Sequence, residues 1–505
     1  MIGENDVIFI ALYMLFNSLE FLIFLPLVFL LYWHVFQYNF RIQNLFIVIV
    51  SYIFYGWWDW RFLLLIAFTS FLSWLSGVTI NYVRRKVINR RKESYISRMI
   101  MIANVVINLA ILGLFKYYDF FISSFIDLFA HVGISLSVPS LQLILPVGIS
   151  FYTFQALSYT IDVYKYKLEP TRDILAFFAY VSFFPQLVAG PIERASNLLP
   201  QFYKSRHFDY NMAVDGMRQI LWGFFKKVVI ADNCASLVNI IFKDYQDANS
   251  AMLLVGAAFF TFQIYGDFSG YSDIAIGTAR LFGIELRRNF HYPYFSRDIA
   301  EFWRRWHISL NTWFRDYVYI PLGGSKCGKV KQFRNTMIIF TLSGLWHGAN
   351  WTYVTWGIFH GLLFLPLMLA GHNRKNLDVV AAGKCFPALK DMVNMIFTFL
   401  LVMFGWILFR AETIDKAGDY IMKMFRGVWA MPNIHDMGIS MITFISTCFF
   451  IVILLVAEWS QRDKEYALDM NQVSSPLLRW GIYCMIFMII IVFPGNQETF
   501  IYFQF

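Results

Sequence analysis

Charge is what this chain has little of. Only 15% of its 505 residues are Asp, Glu, Lys or Arg, against about 25% in an average soluble protein. Hydrophobic residues make up 58% and aromatic residues 20%, and the mean hydropathy is +0.53. So little polar surface cannot cover a soluble fold, so the bilayer must be the solvent for much of the chain. Its apolar runs are long enough for helices and lack the dyad alternation of outer-membrane barrels. The reading is therefore an all-α polytopic membrane protein of roughly eleven transmembrane helices, at about twenty residues each, with re-entrant or interfacial helices around a central tunnel. No soluble domain, low-complexity linker or internal repeat is visible, which implies a single membrane-embedded domain over residues 1–505. Cysteine is also scarce. The five, at 234, 327, 385, 448 and 484, are far apart and form no Cys-x-x-Cys pair, so neither a disulfide framework nor a zinc site is indicated. A His-Glu-x-x-His motif is missing too, and no metal site is expected. No small-residue cleavage site follows a short apolar stretch, so no removed signal peptide is read. Met14 directly precedes a stronger apolar span than Met1 does, and either could be the start.

The charges that are present sum to +9 and gather in loops. Arg84-Arg85-Lys86 and Arg90-Arg91-Lys92, with Arg98, form the densest short basic loop of the first half, cytoplasmic by the positive-inside rule. Anionic lipid headgroups, not nucleic acid, are the partners this distribution suits, because aromatic stacking residues are barely interleaved among the cations.

Polar residues inside apolar runs then stand out. Residues 335–370 contain no Asp, Glu, Lys or Arg, yet carry Ser343-Gly344-Leu345-Trp346-His347-Gly348-Ala349-Asn350-Trp351. A helix from Arg334 places His347 about 20 Å along its axis, well inside a hydrocarbon core of about 30 Å. An ionisable side chain at that depth normally faces the bundle interior, a polar partner or a water-filled cavity. Histidine is the side chain best suited to moving protons near neutral pH. His347 thus reads as a catalytic base in an intramembrane tunnel, with a hydrogen-bonded packing histidine as the plainer alternative. Asn350 is the nearby candidate for an oxyanion donor.

Three further segments carry polar groups into apolar surroundings. The run 141–159 is broken by Pro146 and Gly148 and carries Gln155, the pattern of an interrupted helix lining a cavity. The stretch 251–282 holds Asp267, Ser269 and Asp273, read as a structural pair neutralised by nearby arginines, with substrate contact at Asp267 as the sharper alternative. Lys226-Lys227 suggests that 217–230 lies partly at an interface. Between 287 and 319, Trp303, Trp306, Leu310 and Trp313 fall at helical spacing, as in an amphipathic interfacial or re-entrant helix. There Arg304 and Arg305 could meet phosphates, and His307 could line the same cavity as His347.

Taken together these pieces are recognisable. Leu145-Pro146-Val147-Gly148-Ile149-Ser150-Phe151-Tyr152 is followed by Ser182-Phe183-Phe184-Pro185-Gln186-Leu187-Val188-Ala189-Gly190-Pro191. Next come Gln263-Ile264-Tyr265-Gly266-Asp267-Phe268-Ser269-Gly270-Tyr271-Ser272-Asp273 and Glu301-Phe302-Trp303-Arg304-Arg305-Trp306-His307-Ile308-Ser309-Leu310. Arg315-Asp316-Tyr317, Gly344-Leu345-Trp346-His347-Gly348 and Phe409-Arg410-Ala411 complete the series. In this order the chain resembles the membrane-bound O-acyltransferase family, and within it the branch that acetylates exported polysaccharides such as alginate. The loop at 325–328 and the region 372–390 match none of its motifs.

The resemblance implies a multi-pass acyltransferase of the bacterial inner membrane, with a funnel from each face meeting near the histidine. The family's near-invariant histidine maps onto His347, and a second functional one onto His307. Substrate contacts are expected from Arg304, Arg305, Trp306, Asp316, Asn350 and Asp267. No bound cofactor is implied; acetyl-CoA is the expected acyl donor, entering from the cytoplasm. The acceptor, on the other side, is expected to be a hydroxyl of an extracytoplasmic partner acetyltransferase, of a lipid carrier or of the glycan itself. Teichoic acid D-alanylation is the nearest alternative within the superfamily. A polysaccharide exporter with a buried proton pathway is the alternative from another class, and the absence of a repeat argues against it.

Overall fold

A computed structural model describes residues 14–188, 190–471 and 473–501, and these are helical with no strand. Residues 1–13, which hold Met1, and Ala189 of the second motif lie outside the described residues. Backbone contacts divide the chain into two units, Met1–Ala213 with Ala279–Leu286, and Val214–Thr278 with Arg287–Phe505.

The first unit carries helices α1 (Leu19–His34), α2 (Phe40–Gly56), α3 (Leu63–Lys86), α4 (Arg90–Leu112), α5 (Tyr118–Ala130), α6 (Ile149–Tyr164) and α7 (Ile174–Ser182). Their starts follow from side chains that accept orphan backbone N–H groups: Ser18, Asn39, Asn89 and Asp173 each cap a helix. Gly148, at φ +70°, opens α6 in a conformation that disfavours a side chain, and a Cβ there would fall 2.6 Å from the Leu187 carbonyl oxygen. The first two motifs of the family series are thereby pressed together. Gln155 is fully buried, not cavity-lining: it donates to the Tyr180 carbonyl and accepts from Gln186 Nε2 at 2.6 Å.

The second unit contains most of α8 (Tyr210–Phe224), then α9 (Asp232–Lys243), α10 (Ser250–Leu281, to Thr278 in this unit), α11 (Ile299–Arg305) and α12 (Ile308–Phe314). It continues with α13 (Lys329–His347), α14 (Trp351–Leu369), α15 (Leu389–Arg410), α16 (Ile414–Arg426), α17 (Met441–Ser460) and α18 (Pro476–Val492). A π-helical segment, Phe225–Ala231, joins α8 to α9, and a second, Arg315–Tyr319, follows α12; such segments are rare and recur at functional sites.

Among the described residues, six helices are long and apolar enough to cross a membrane: Trp60–Lys86, Arg90–Ala130, Ser250–Leu281, Trp351–Leu369, Leu389–Arg410 and Met441–Ser460. Three shorter apolar helices are Leu19–His34, Phe40–Gly56 and Pro476–Val492. The chain is thus a polytopic helical membrane protein, and its spans differ from the expected series for identifiable reasons. The apolar runs near 99–115 and 120–129 fuse through a π turn, Gly113–Tyr117, into one 41-residue span. The run 141–159 gives way to a 16-residue helix, Ile149–Tyr164, buried everywhere except Ile161 and Tyr164, and the run 177–189 is divided between the nine-residue helix Ile174–Ser182 and a four-residue one, Phe184–Leu187.

Two local expectations are overturned. The segment carrying Trp303, Trp306, Leu310 and Trp313 is not one amphipathic helix: it breaks at His307, and all four apolar side chains are buried in protein. Lys226 and Lys227 are buried as well, so their segment is not interfacial.

Candidate active site

Helices α13 and α14 form a tight antiparallel pair. Gly344, Gly357 and Gly361 line the seam, where an added Cβ at Gly344 would fall 3.0 Å from the Tyr353 carbonyl carbon and 3.3 Å from Gly357 Cα. Small residues let backbones approach this closely in a bilayer. The pair turns at Gly348 and Asn350. Asn350 caps α14 by accepting from Thr352 N–H at 3.0 Å, and its amide nitrogen donates to the Glu412 carbonyl at 2.9 Å. Both ends of its amide are therefore used structurally. His347 is the last residue of α13, and only 2% of it is exposed.

His307 reaches the same place from another direction. Its backbone is left-handed, at φ 43° and ψ 56°, strained for a non-glycine residue and of the kind that clusters at functional sites. Asn289 enforces the break. Its carbonyl accepts from Ile308 N–H at 2.8 Å, and its side-chain Oδ1 accepts from the Ser309 hydroxyl at 2.9 Å and the Ser309 N–H at 3.3 Å. Because Oδ1 already accepts from an N–H that can only donate, the 3.0 Å bond to His307 Nδ1 makes that nitrogen the donor. The basic lone pair of His307 then sits on Nε2.

The two imidazoles have ring centroids 6.4 Å apart. Around His347 stand Trp346 and Trp356, each at 5.0 Å, and Phe409 at 5.4 Å. Phe268 lies edge-on to His307 at 4.7 Å. Trp306 is fully buried in the next layer, against Phe290 and Trp406. His307 is 1% exposed, so the expected central tunnel is closed at the histidines here.

The remaining sequence-derived candidates fall elsewhere. Arg304 donates to the carbonyls of Asn373 and Asn376 at 2.8 and 2.6 Å. Arg305 pairs with buried Glu301 at 2.7 Å and reaches the Asp378 carbonyl at 3.1 Å. Arg297 also binds Glu301 and Asp378. That hydrogen bond from Arg297 holds the exposed Asp378 carboxyl below the ordinary carboxylate range. The arginines thus tie part of the region 372–390, which matched no motif, to the segment just before His307. Asp316 pairs with its neighbour Arg315 at 2.6 Å.

Asp267 is neutralised by a lysine, not by an arginine as expected: Lys227 Nζ lies 2.7 Å from Asp267 and 2.8 Å from Asp232. Lys226 likewise holds Asp273 at 2.5 Å. The π-helical segment makes this possible by presenting consecutive lysines to different carboxylates. Among the described residues, no cluster of three or more His, Cys, Asp or Glu could hold a metal ion.

Sequence reasoning passed over Asn289 and the segment 494–501, and gave Glu301 no role beyond its place in a motif. Asn289 had no local signal, since its partners are 18 and 20 residues away. In the tail, Phe500 is fully buried and packs on Tyr271 and Phe268, the residue that faces His307.

The model of the MBOAT, membrane-bound O-acyltransferase family, matches residues 53–410. The chain belongs to this family. Among its family relatives, the probable alginate O-acetylase AlgI of Pseudomonas aeruginosa is 40% identical over 84% of this chain and 77% of its own length. The peptidoglycan O-acetyltransferase of Helicobacter pylori is 29% identical over 97% of this chain and 98% of its own. The teichoic acid D-alanyltransferase of Streptococcus thermophilus is 31% identical over 52% of this chain and 68% of its own. As a family member with these helices, the chain is a multi-pass O-acyltransferase of the bacterial inner membrane.

Proposed function

We propose that the protein transfers an acetyl group from acetyl-CoA across the membrane for O-acetylation of an exported, alginate-like polysaccharide, with His347 as the general base. The observation that carries this reading is the pair of imidazoles 6.4 Å apart inside an aromatic shell, with His347 at the end of a helix that has no charged residue after Arg334. His347 takes the proton of the acceptor hydroxyl as its oxygen attacks the thioester carbonyl. The tetrahedral adduct collapses, the C–S bond breaks, and the departing thiolate recovers the proton from His347, so no net proton is consumed. A positioned base of this kind contributes about 10²–10⁴-fold. His307, with Nε2 basic, orients the acceptor hydroxyl. Arg297, Arg304 and Arg305 hold the loop 371–388, and through that loop they shape the donor side.

The immediate acceptor is a hydroxyl of an extracytoplasmic partner acetyltransferase, which passes the acetyl group to the glycan. The two units act as one acyltransferase domain, supported by a family match that runs through both. The relative that D-alanylates teichoic acid covers only about half of this chain, whereas the O-acetylating relatives cover most of it. The test is acetyl release from exported polysaccharide in cells carrying the intact protein or His347→Ala. Loss of the acetyl groups at normal membrane abundance is expected. A well-folded H347A protein that still acetylates overturns the assignment.

A further inference from the structure

The interfacial helix expected around Trp303 is not there, but α16 (Ile414–Arg426) has the make-up of one. Its residues turn by about 100° each and sort into three arcs. Ala417, Tyr420 and Met424 form the buried one. The Tyr420 hydroxyl donates to the Leu253 carbonyl at 2.7 Å, and its ring stacks on Phe242 at 4.6 Å, so this arc is fastened to α9 and α10. Asp415, Lys416, Asp419, Lys423 and Arg426 make up a second, wholly charged arc. The third, Ile414, Ile421, Met422 and Phe425, is apolar and largely uncovered, and Val428 and Trp429 prolong it past the helix end. Met422, Phe425, Val428 and Trp429 are each between 50% and 74% exposed. So much apolar surface in one patch marks a site of interaction.

What covers the patch follows from the two spans on either side. Along α15 the exposed Val393, Phe397 and Leu400 and the half-buried Phe404 recur at spacings of three and four, the lipid-facing stripe of a membrane helix. Phe425 stacks on Phe404, with ring centroids 5.6 Å apart and planes 2° from parallel, so the apolar arc of α16 continues that stripe. Further on, the chain enters α17, whose Met441, Ile442, Ile445 and Phe449 are likewise exposed. Residues 411–440 lie at one end of both spans. At the opposite end Arg462, just past α17, donates to the carbonyls of Val380 at 3.0 Å and Ala381 at 2.8 Å, in the loop before α15. That end carries Lys326, Lys329, Lys331, Arg374, Lys375 and Lys384 and is cytoplasmic by the positive-inside rule. We propose that α16 lies flat in the outer leaflet, its apolar arc set among phospholipid acyl chains at headgroup level and its charged arc in water. Lipid is the occupant because the uncovered surface runs on from a lipid-facing one and ends in a tryptophan, the side chain that anchors at the membrane–water boundary. The buried arc then ties the leaflet to α10, the helix that brings Phe268 to His307.

The test is depth and sidedness, both read on the full chain. For depth, the native cysteines are changed to serine, or to alanine at the buried Cys234, and a nitroxide label is attached at Met422→Cys, Val428→Cys or Asp419→Cys. The protein is placed in nanodiscs of phosphatidylethanolamine and phosphatidylglycerol. Collisions with oxygen, which concentrates among acyl chains, are compared with collisions with a water-soluble nickel chelate. The labels at 422 and 428 are expected to favour oxygen, at a depth of about 5–10 Å, and the label at 419 to favour the chelate. For sidedness, D419C in the otherwise native protein should react with a membrane-impermeant maleimide in spheroplasts, whereas the exposed native Cys385 should react only after lysis. This second measurement keeps the native cysteines, so it stands even where the substituted background melts early. Neither readout needs turnover, so the proposal fails or holds separately from the catalytic reading. Three results overturn it: labels at 422 and 428 as open to the chelate as the one at 419; labels there shut off from both reagents, which means that a partner protein or a second copy covers the patch; or D419C protected until lysis.

Discussion

Gly344→Ala should damage the enzyme out of proportion to one methyl group. The new Cβ would lie 3.0 Å from the Tyr353 carbonyl carbon and closer still to its oxygen. Relaxed carbon–carbon contacts are about 3.5–4.0 Å, so α13 and α14 must separate by roughly 0.5–1 Å. The ring of Tyr353 is 4.8 Å from Phe409, and Phe409 is 5.4 Å from His347. The displacement is therefore delivered to the wall of the site. Overpacking of this kind costs about 1–3 kcal/mol of stability, and a misplacement of about 1 Å can cost about 10²-fold in rate. The control is Gly418 on α16, where no heavy atom lies within 4 Å of the new Cβ. There alanine should stabilise by about 0.5–1 kcal/mol through helix propensity and leave turnover untouched. Acetyl-CoA turnover and thermal melting of both variants in detergent decide the matter. A G344A protein with intact kcat and melting temperature would refute the claim that the glycine seam positions the site.

Asn289→Leu removes the acceptor that holds His307 and Ser309; we expect a loss of about 2–4 kcal/mol from several buried hydrogen bonds, at about 1 kcal/mol each, and a clear fall in turnover. Ser272→Ala, which removes only the 3.3 Å bond from Asn289 Nδ2, should cost about 1 kcal/mol or less on the same scale; equal losses in the two would show that Asn289 is merely packing. Glu301→Gln leaves the buried Arg305 guanidinium without its counter-charge and Arg297 with only the exposed Asp378, and should cost about 3–5 kcal/mol. Asp378→Asn, at a side chain 70% exposed, should cost under about 1 kcal/mol. Because Arg297 holds the Asp378 carboxyl below its ordinary value, that pair's contribution is present above the unfolded pKa near 3.9 and is lost as pH falls through the folded value. The D378N difference should thus be flat between about pH 5 and 8 in denaturation experiments; a midpoint inside that window would contradict it.

Much of this was legible without coordinates. The scarcity of charge named the bilayer as solvent, and helix geometry alone set His347 deep in an uncharged segment, where α13 does end. The family's motif order carried His307 to the same site. The partners of Arg304, Arg305 and Asp267 were not legible, because a charged residue in an apolar run announces that it has a partner but not which one. Their partners came from Glu301, from residues 373–378, from the lysine of a π-helical segment and from the Ile501 N–H of the tail, which donates to Asp267 at 2.7 Å.

Composition and local spacing therefore determined the solvent, the helical class and the depth of His347 in an uncharged segment, because those depend on the residue types within a few turns of each other. Tertiary structure decided the break at His307, the closed aromatic shell and the neutralisation of Asp267. Each of these depends on an atom brought from far along the chain: the Asn289 amide, the Phe409 ring, the Lys227 ammonium. No periodicity records such meetings, because they arise only when helices pack closely enough for buried polar groups to satisfy one another.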